Sequence, residues 1–174
     1  LSLGLMLMAL RWLSKEYFSV SDWVFTGILL GLSGLSKYTA AFSALALLLV
    51  FLSSPRKNWI NTTGFWLAAI IALFCIGPVL YWNWTNDWIS FKYQIAHGAG
   101  STWLWRKLAA YVGLQILVYG PLLLLGTYLF IKYCVHGAKL SVWALLGFFV
   151  IPFAIFTSLS GGGGLPHWTA PAWF

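Results

Sequence analysis

Charge is what this chain has least of. Only 7% of its 174 residues are charged, and three of those are acidic: Glu16, Asp22 and Asp87. Soluble domains carry roughly 25% charged residues, and a chain this poor in charge cannot cover a water-facing surface. A soluble globular domain is thereby excluded, and lipid becomes the solvent for most of the surface. Cysteine is also scarce. Cys75 sits inside an apolar run and Cys134 at the end of one, so no disulfide framework is expected and the redox compartment stays open. There is no Cys/His cluster with metal spacing and no Asp-x-Asp pair. The glycine run 161–164 lacks the Lys-Ser/Thr of a phosphate loop. Neither a metal nor a cofactor is expected. The ten basic residues give a formal charge of +7, but they lie between apolar runs rather than along a polar face. That pattern excludes nucleic acid as a partner. No secretory signal pattern precedes the first loop, and both chain ends read as cut through helices.

Apolar and aromatic residues fill the space that charge leaves. Hydrophobic residues make up 61% of the chain and aromatics 19%, with 12 Trp. So many indoles suit a protein anchored at two membrane–water interfaces. The expected fold is all-α: a polytopic transmembrane helix bundle forming one domain. Apolar helices are expected near 1–13, 23–36, 39–52, 59–81, 108–133 and 140–160, with outer loops at 82–107 and 161–174. Pro78, Pro121 and Pro152 interrupt three of these helices, and neighbouring helices can satisfy the backbone groups they free.

The stretch 23–52 decides the topology. As one helix it would run about 45 Å, well beyond a hydrocarbon core of about 30 Å. It would also bury Lys37 near the bilayer centre at about 3 kcal/mol. A hairpin of two short arms, with Lys37 near its turn, avoids both problems. It needs a bundle interior or a water-filled cavity to receive the turn. With the hairpin, Arg11, Lys15, Arg56, Lys57, Lys132 and Lys139 fall on the short loops of one side, which the positive-inside rule makes cytoplasmic. Lys37, Lys92, Arg106 and Lys107 fall on the outer side.

The first outer loop has helical periodicity. Trp84, Trp88, Phe91 and Ile95 share one face, and Asn83, Asp87, Ser90, Gln94 and His97 share the other. This predicts an amphipathic helix in the interface, either a plain anchor or the polar wall of a headgroup site. In the second outer loop the four glycines predict a flexible segment, followed by Pro166, His167, Trp168 and Pro171. A plain connector is the bland alternative.

Three blocks stand in order along the chain. The first is Gly31-Leu32-Ser33-Gly34-Leu35-Ser36-Lys37-Tyr38-Thr39-Ala40. The second is Pro78-Val79-Leu80-Tyr81-Trp82-Asn83 with Trp88-Ile89-Ser90-Phe91 and His97-Gly98. The third is Leu165-Pro166-His167-Trp168-Thr169-Ala170-Pro171. The set resembles the polytopic glycosyltransferases related to dolichyl-phosphate-mannose protein mannosyltransferases and bacterial aminoarabinose transferases. The resemblance implies a GT-C type membrane fold. It implies transfer of a sugar from a polyprenyl-phosphate carrier to a lipid or protein acceptor on the outer, periplasmic or lumenal, face of a membrane such as the bacterial inner membrane.

By that resemblance Lys37 matches the lysine of the first block, and His97 and His167 match histidine positions of the other two. Tyr38, Asp87 and Gln94 join them as expected substrate-binding residues, with Lys92 and Arg106 as further phosphate contacts. Two departures matter. The family's acidic motif, expected to supply the catalytic base, would lie upstream of Leu1. Family members also often carry lysine where this chain has Gly161 to Gly164.

The chemistry stands beside the resemblance. A lipid phosphate leaves readily once its charge is stabilised, and Lys37 at a low-dielectric edge could do so; snorkelling is its bland alternative. Arg106 and Lys107 could equally meet anionic headgroups. Asp87 is the one outer acid, suited to sugar binding or helix capping, whereas Glu16 and Asp22 read as structural. Two other classes stay open. A transporter or flippase of lipid-linked sugars would need ionisable residues on several helices near mid-membrane, and a non-catalytic scaffold would be indifferent to loss of Lys37.

Overall fold

The computed structural model describes residues 1–54, 58–99, 102–135 and 139–162, and all secondary structure among them is helical. Three helical stretches are long and apolar enough to cross a membrane: Thr63–Thr85, Trp105–Lys132 and Val142–Ser160. The chain is an all-α, integral membrane helix bundle. It forms two compact units, Leu1–Thr85 and Asn86–Phe174.

The first unit contains α1 (Ser2–Ser14), α2 (Val20–Ser36), α3 (Ala40–Ser53), a short 3-10 turn (Trp59–Asn61) and α4 (Thr63–Thr85). The α1–α2 corner is held by one acid. Ser19 and Asp22 form a capping box: the Ser19 hydroxyl accepts from the Asp22 amide at 3.3 Å, and the Asp22 carboxylate accepts from the Ser19 amide at 3.1 Å. The same carboxylate accepts from Arg11 Nη2 at 2.8 Å and Lys15 Nζ at 2.7 Å. Asp22 is buried while both basic partners reach solvent. It lies ahead of the apolar stretch, and its role is structural.

Burial alone would raise the Asp22 pKa. The hydrogen bonds from Lys15, from the Ser19 hydroxyl and amide, and from Arg11 outweigh it and hold the carboxyl well below the usual range. Asp22→Asn is therefore expected to cost about 2 kcal/mol at neutral pH, the scale of hydrogen bonds to a charged group. Because the folded pKa is the depressed one, the stabilisation is complete above the unfolded value of about 4 and is lost as pH falls from there toward the folded value. Thermal melts of detergent-solubilised wild type and variant check this. The gap between them should narrow below about pH 4, and a gap that ignores pH would refute the assignment.

Around this corner packs an aromatic cluster. Trp12 meets Phe51 at 4.8 Å and Trp23 at 5.6 Å between ring centroids, and Trp59 meets Phe51 at 5.5 Å and Phe65 at 5.0 Å. Trp23 opens α2 and Phe51 closes α3, and their rings lie 5.6 Å apart. A continuous helix would hold them about 40 Å apart. The chain therefore folds back at residues 37–39. Lys37 leaves the helix in extended conformation (φ −161°, ψ 139°), and its carbonyl accepts from the Ala40 amide at 3.0 Å to start the next arm. The tip of this hairpin lies at the opposite end of the unit from the aromatic cluster.

α4 runs parallel to α2 and is pressed against it. A Cβ added to Gly27 would stand 2.6 Å from the Ala68 carbonyl oxygen, and one added to Gly31 would stand 2.5 Å from Cys75 Cβ. Lipid tails are as apolar as leucine, so helices in a bilayer associate through such close backbone approach. The register Gly27–Ala68, Gly31–Cys75, Gly34–Ile76 places the hairpin tip level with about Val79. α4 thus continues past the tip by about 9 Å.

The second unit contains α5 (Ile89–Ala99), α6 (Trp105–Val135) and α7 (Lys139–Ser160). α6 and α7 are antiparallel: Phe130 meets Trp143 at 5.9 Å near one end, and Trp103 meets Ser158 at the other. α5 packs on α7.

Candidate functional site

Lys37 caps α2 and its side chain is exposed, with Tyr38 beside it half-buried in the turn. The sequence turns there because the apolar stretch 23–52 is too long for a single span, and because an ammonium is costly at bilayer depth. The described contacts put it at the same end of the first unit as the C-terminal turns of α4, where Tyr81, Trp82 and Trp84 are exposed aromatics.

The helical periodicity expected within residues 82–107 is interrupted. Asn83 and Trp84 belong to α4, which runs to Thr85. Asp87 and Trp88 follow with φ of 53° and 58°, both in the left-handed region. Each such non-glycine residue costs on the order of 1 kcal/mol or more, and two in succession end one helix before the next begins. α5 therefore starts at Ile89, and the single amphipathic face expected from Asn83 to His97 is divided between two helices. Asn83 is not on a polar outer face. It is 1% exposed, its Nδ2 donates to the Val79 carbonyl at 2.9 Å, and its Oδ1 has no hydrogen-bond partner.

Of the remaining candidates, Asp87 is exposed in the left-handed turn, and Lys92 and Gln94 are exposed on α5. Arg106 is exposed in the first turn of α6, and Lys107 is half-buried, its Nζ donating to the Thr102 carbonyl at 3.2 Å. His97 lies in α5, but its side chain, like the whole of His167, lies outside the described residues. Lys37 and Tyr38 thus belong to the first unit, and Asp87, Lys92, Gln94 and Arg106 to the second. Among the described residues no group of three His, Cys, Asp or Glu could hold a metal ion.

Sequence reasoning passed over two features. One is the Ser19–Asp22 capping box, whose Ser-x-x-Asp spacing was a usable signal. The other is the end of α7. The glycine run 161–164 predicted flexibility; its first two residues, Gly161 and Gly162, are buried, with Gly161 against the indole of Trp103, and the other two lie outside the described residues. Nothing singled out Trp103 among 12 tryptophans.

No curated protein and no solved structure matches the chain. A family does match, over the segment that contains the helical hairpin and nearly all of α4. Residues 1–82, a little under half of the 174, are similar to the dolichyl-phosphate-mannose-protein mannosyltransferase family.

Proposed function

We propose that this protein is a membrane glycosyltransferase that moves a sugar from a polyprenyl-phosphate carrier to a lipid or protein acceptor at the outer face. The observation that supports it most is a coincidence of place. The family match covers residues 1–82, and this segment folds back on itself with an exposed lysine at the turn.

The chemistry that follows needs little from the protein beyond electrostatics and placement. An acceptor hydroxyl or amine attacks the anomeric carbon. The bond from that carbon to the carrier-phosphate oxygen breaks, and its electron pair leaves with the phosphate. The Lys37 ammonium stabilises the charge that develops on that oxygen, in an environment where water screens poorly. The acceptor proton passes to a general base, which we assign to none of the residues described above. Tyr38, Asp87, Gln94, His97 and His167 are the proposed sugar and headgroup contacts, with Lys92 and Arg106 adding positive field for the phosphate.

The full-length protein in proteoliposomes tests this. Given a radiolabelled polyprenyl-phosphate sugar and a membrane lipid extract as acceptor, it should yield labelled product together with free polyprenyl phosphate. Movement of intact labelled lipid between leaflets without product would indicate a flippase, and neither outcome a scaffold. Cysteines read the sidedness in intact cells: Thr102→Cys should react with an impermeant maleimide and Asn58→Cys should not, both sites being exposed.

A further inference from the structure

The last carbonyls of a helix have no partners within it and must find them elsewhere. At the end of α7 two are satisfied locally: Ser160 Oγ donates to the Thr157 carbonyl at 2.6 Å, and the Gly162 amide to that of Leu159 at 3.1 Å. Two others are satisfied from the approach to α6. Trp103 Nε1 donates to the Ser158 carbonyl at 3.0 Å, and the Leu104 amide donates to the Gly161 carbonyl at 2.8 Å. The indole lies so close over Gly161 that a Cβ there would overlap its five-membered ring. Trp105 braces the indole edge-on at 4.6 Å, and Lys107 Nζ holds the Thr102 carbonyl one residue upstream.

We infer that Trp103 is a positioning residue. It caps α7 from the start of the neighbouring helix, and so fixes the approach to α6 three positions before Arg106, a proposed phosphate contact. The latch is a property of the fold, while its service to a carrier-phosphate sugar rests on the transferase reading.

Hydrogen exchange on the full-length protein in nanodiscs tests the latch without any activity. In Trp103→Ala the Leu104 and Gly162 amides should exchange about tenfold faster, the scale of one lost hydrogen bond. Trp103→Phe, which keeps a ring but loses the donor, should fall between, and Gly161→Ala should act like Trp103→Ala. Tyr128→Ala, an exposed change farther along α6, is the control. Unchanged exchange in Trp103→Ala overturns the latch. A transfer assay then reads positioning: KM for the polyprenyl-phosphate sugar should rise about tenfold with kcat within about twofold. An unchanged KM in a variant whose exchange has accelerated overturns the positioning role. A wild type that transfers no sugar overturns the transferase reading instead, and the exchange result still decides the latch.

Discussion

Lys37→Ala in the full-length protein is expected to lower sugar transfer from a polyprenyl-phosphate donor by about 100-fold or more, the scale of removing one preorganised group that stabilises developing negative charge. Mostly kcat should fall, because the charge on the leaving phosphate grows toward the transition state. Lys37→Arg should keep part of the activity, since it keeps the charge but not the compact ammonium. Folding should be spared. The side chain is exposed, and the bonds that shape the turn run through the backbone, from the Lys37 amide to the Ser33 carbonyl and from the Ala40 amide to the Lys37 carbonyl. Equal yield and equal melting of variant and wild type would document that. Lys92→Ala, on an exposed helical site, should cost less than about tenfold, because a water-exposed charge acts through screened field alone. Full transfer by Lys37→Ala would remove this residue from the mechanism.

Gly27→Leu should be the most damaging single change to the fold of the first unit. The new Cβ would meet backbone, 2.6 Å from the Ala68 carbonyl oxygen and 2.9 Å from its Cα, and backbone cannot rotate aside as a side chain can. The two parallel helices must part, at about 3 kcal/mol or more. Every contact that aligns the hairpin with α4 is then lost. Gly77→Leu makes the matched control, since a Cβ there meets nothing within 4 Å, and helix propensity favours leucine over glycine. Thermal stability in detergent, followed by size-exclusion chromatography, should show loss of folded Gly27→Leu and little change in Gly77→Leu. Equal stability would mean that α2 and α4 do not meet through these glycines.

What could be read along the chain followed from local physical chemistry. Scarcity of charge announced the membrane. Lys37 in the middle of an apolar run announced a turn, because neither the length nor the ammonium suits a single span. The helix expected within 82–107 was readable in part: α5 is there, but periodicity could not show that Asp87 and Trp88 take left-handed conformations and separate it from α4. At Gly161 the reading differs for a related reason. Glycine permits both mobility and close packing, and only the indole of Trp103 over Gly161 selects the second.

By itself the amino-acid order determined that this is an all-helical membrane protein and where its apolar segments lie, since hydropathy and charge act residue by residue. The tertiary structure alone decided which segments meet. It set α2 parallel to α4 through glycines and gathered Trp12, Trp23, Phe51 and Trp59 at one end. It also buried Asn83 and joined α7 to the start of α6 through a single indole. In a bilayer no hydrophobic gradient distinguishes one apolar helix face from another, so these choices depend on fit between surfaces far apart in sequence.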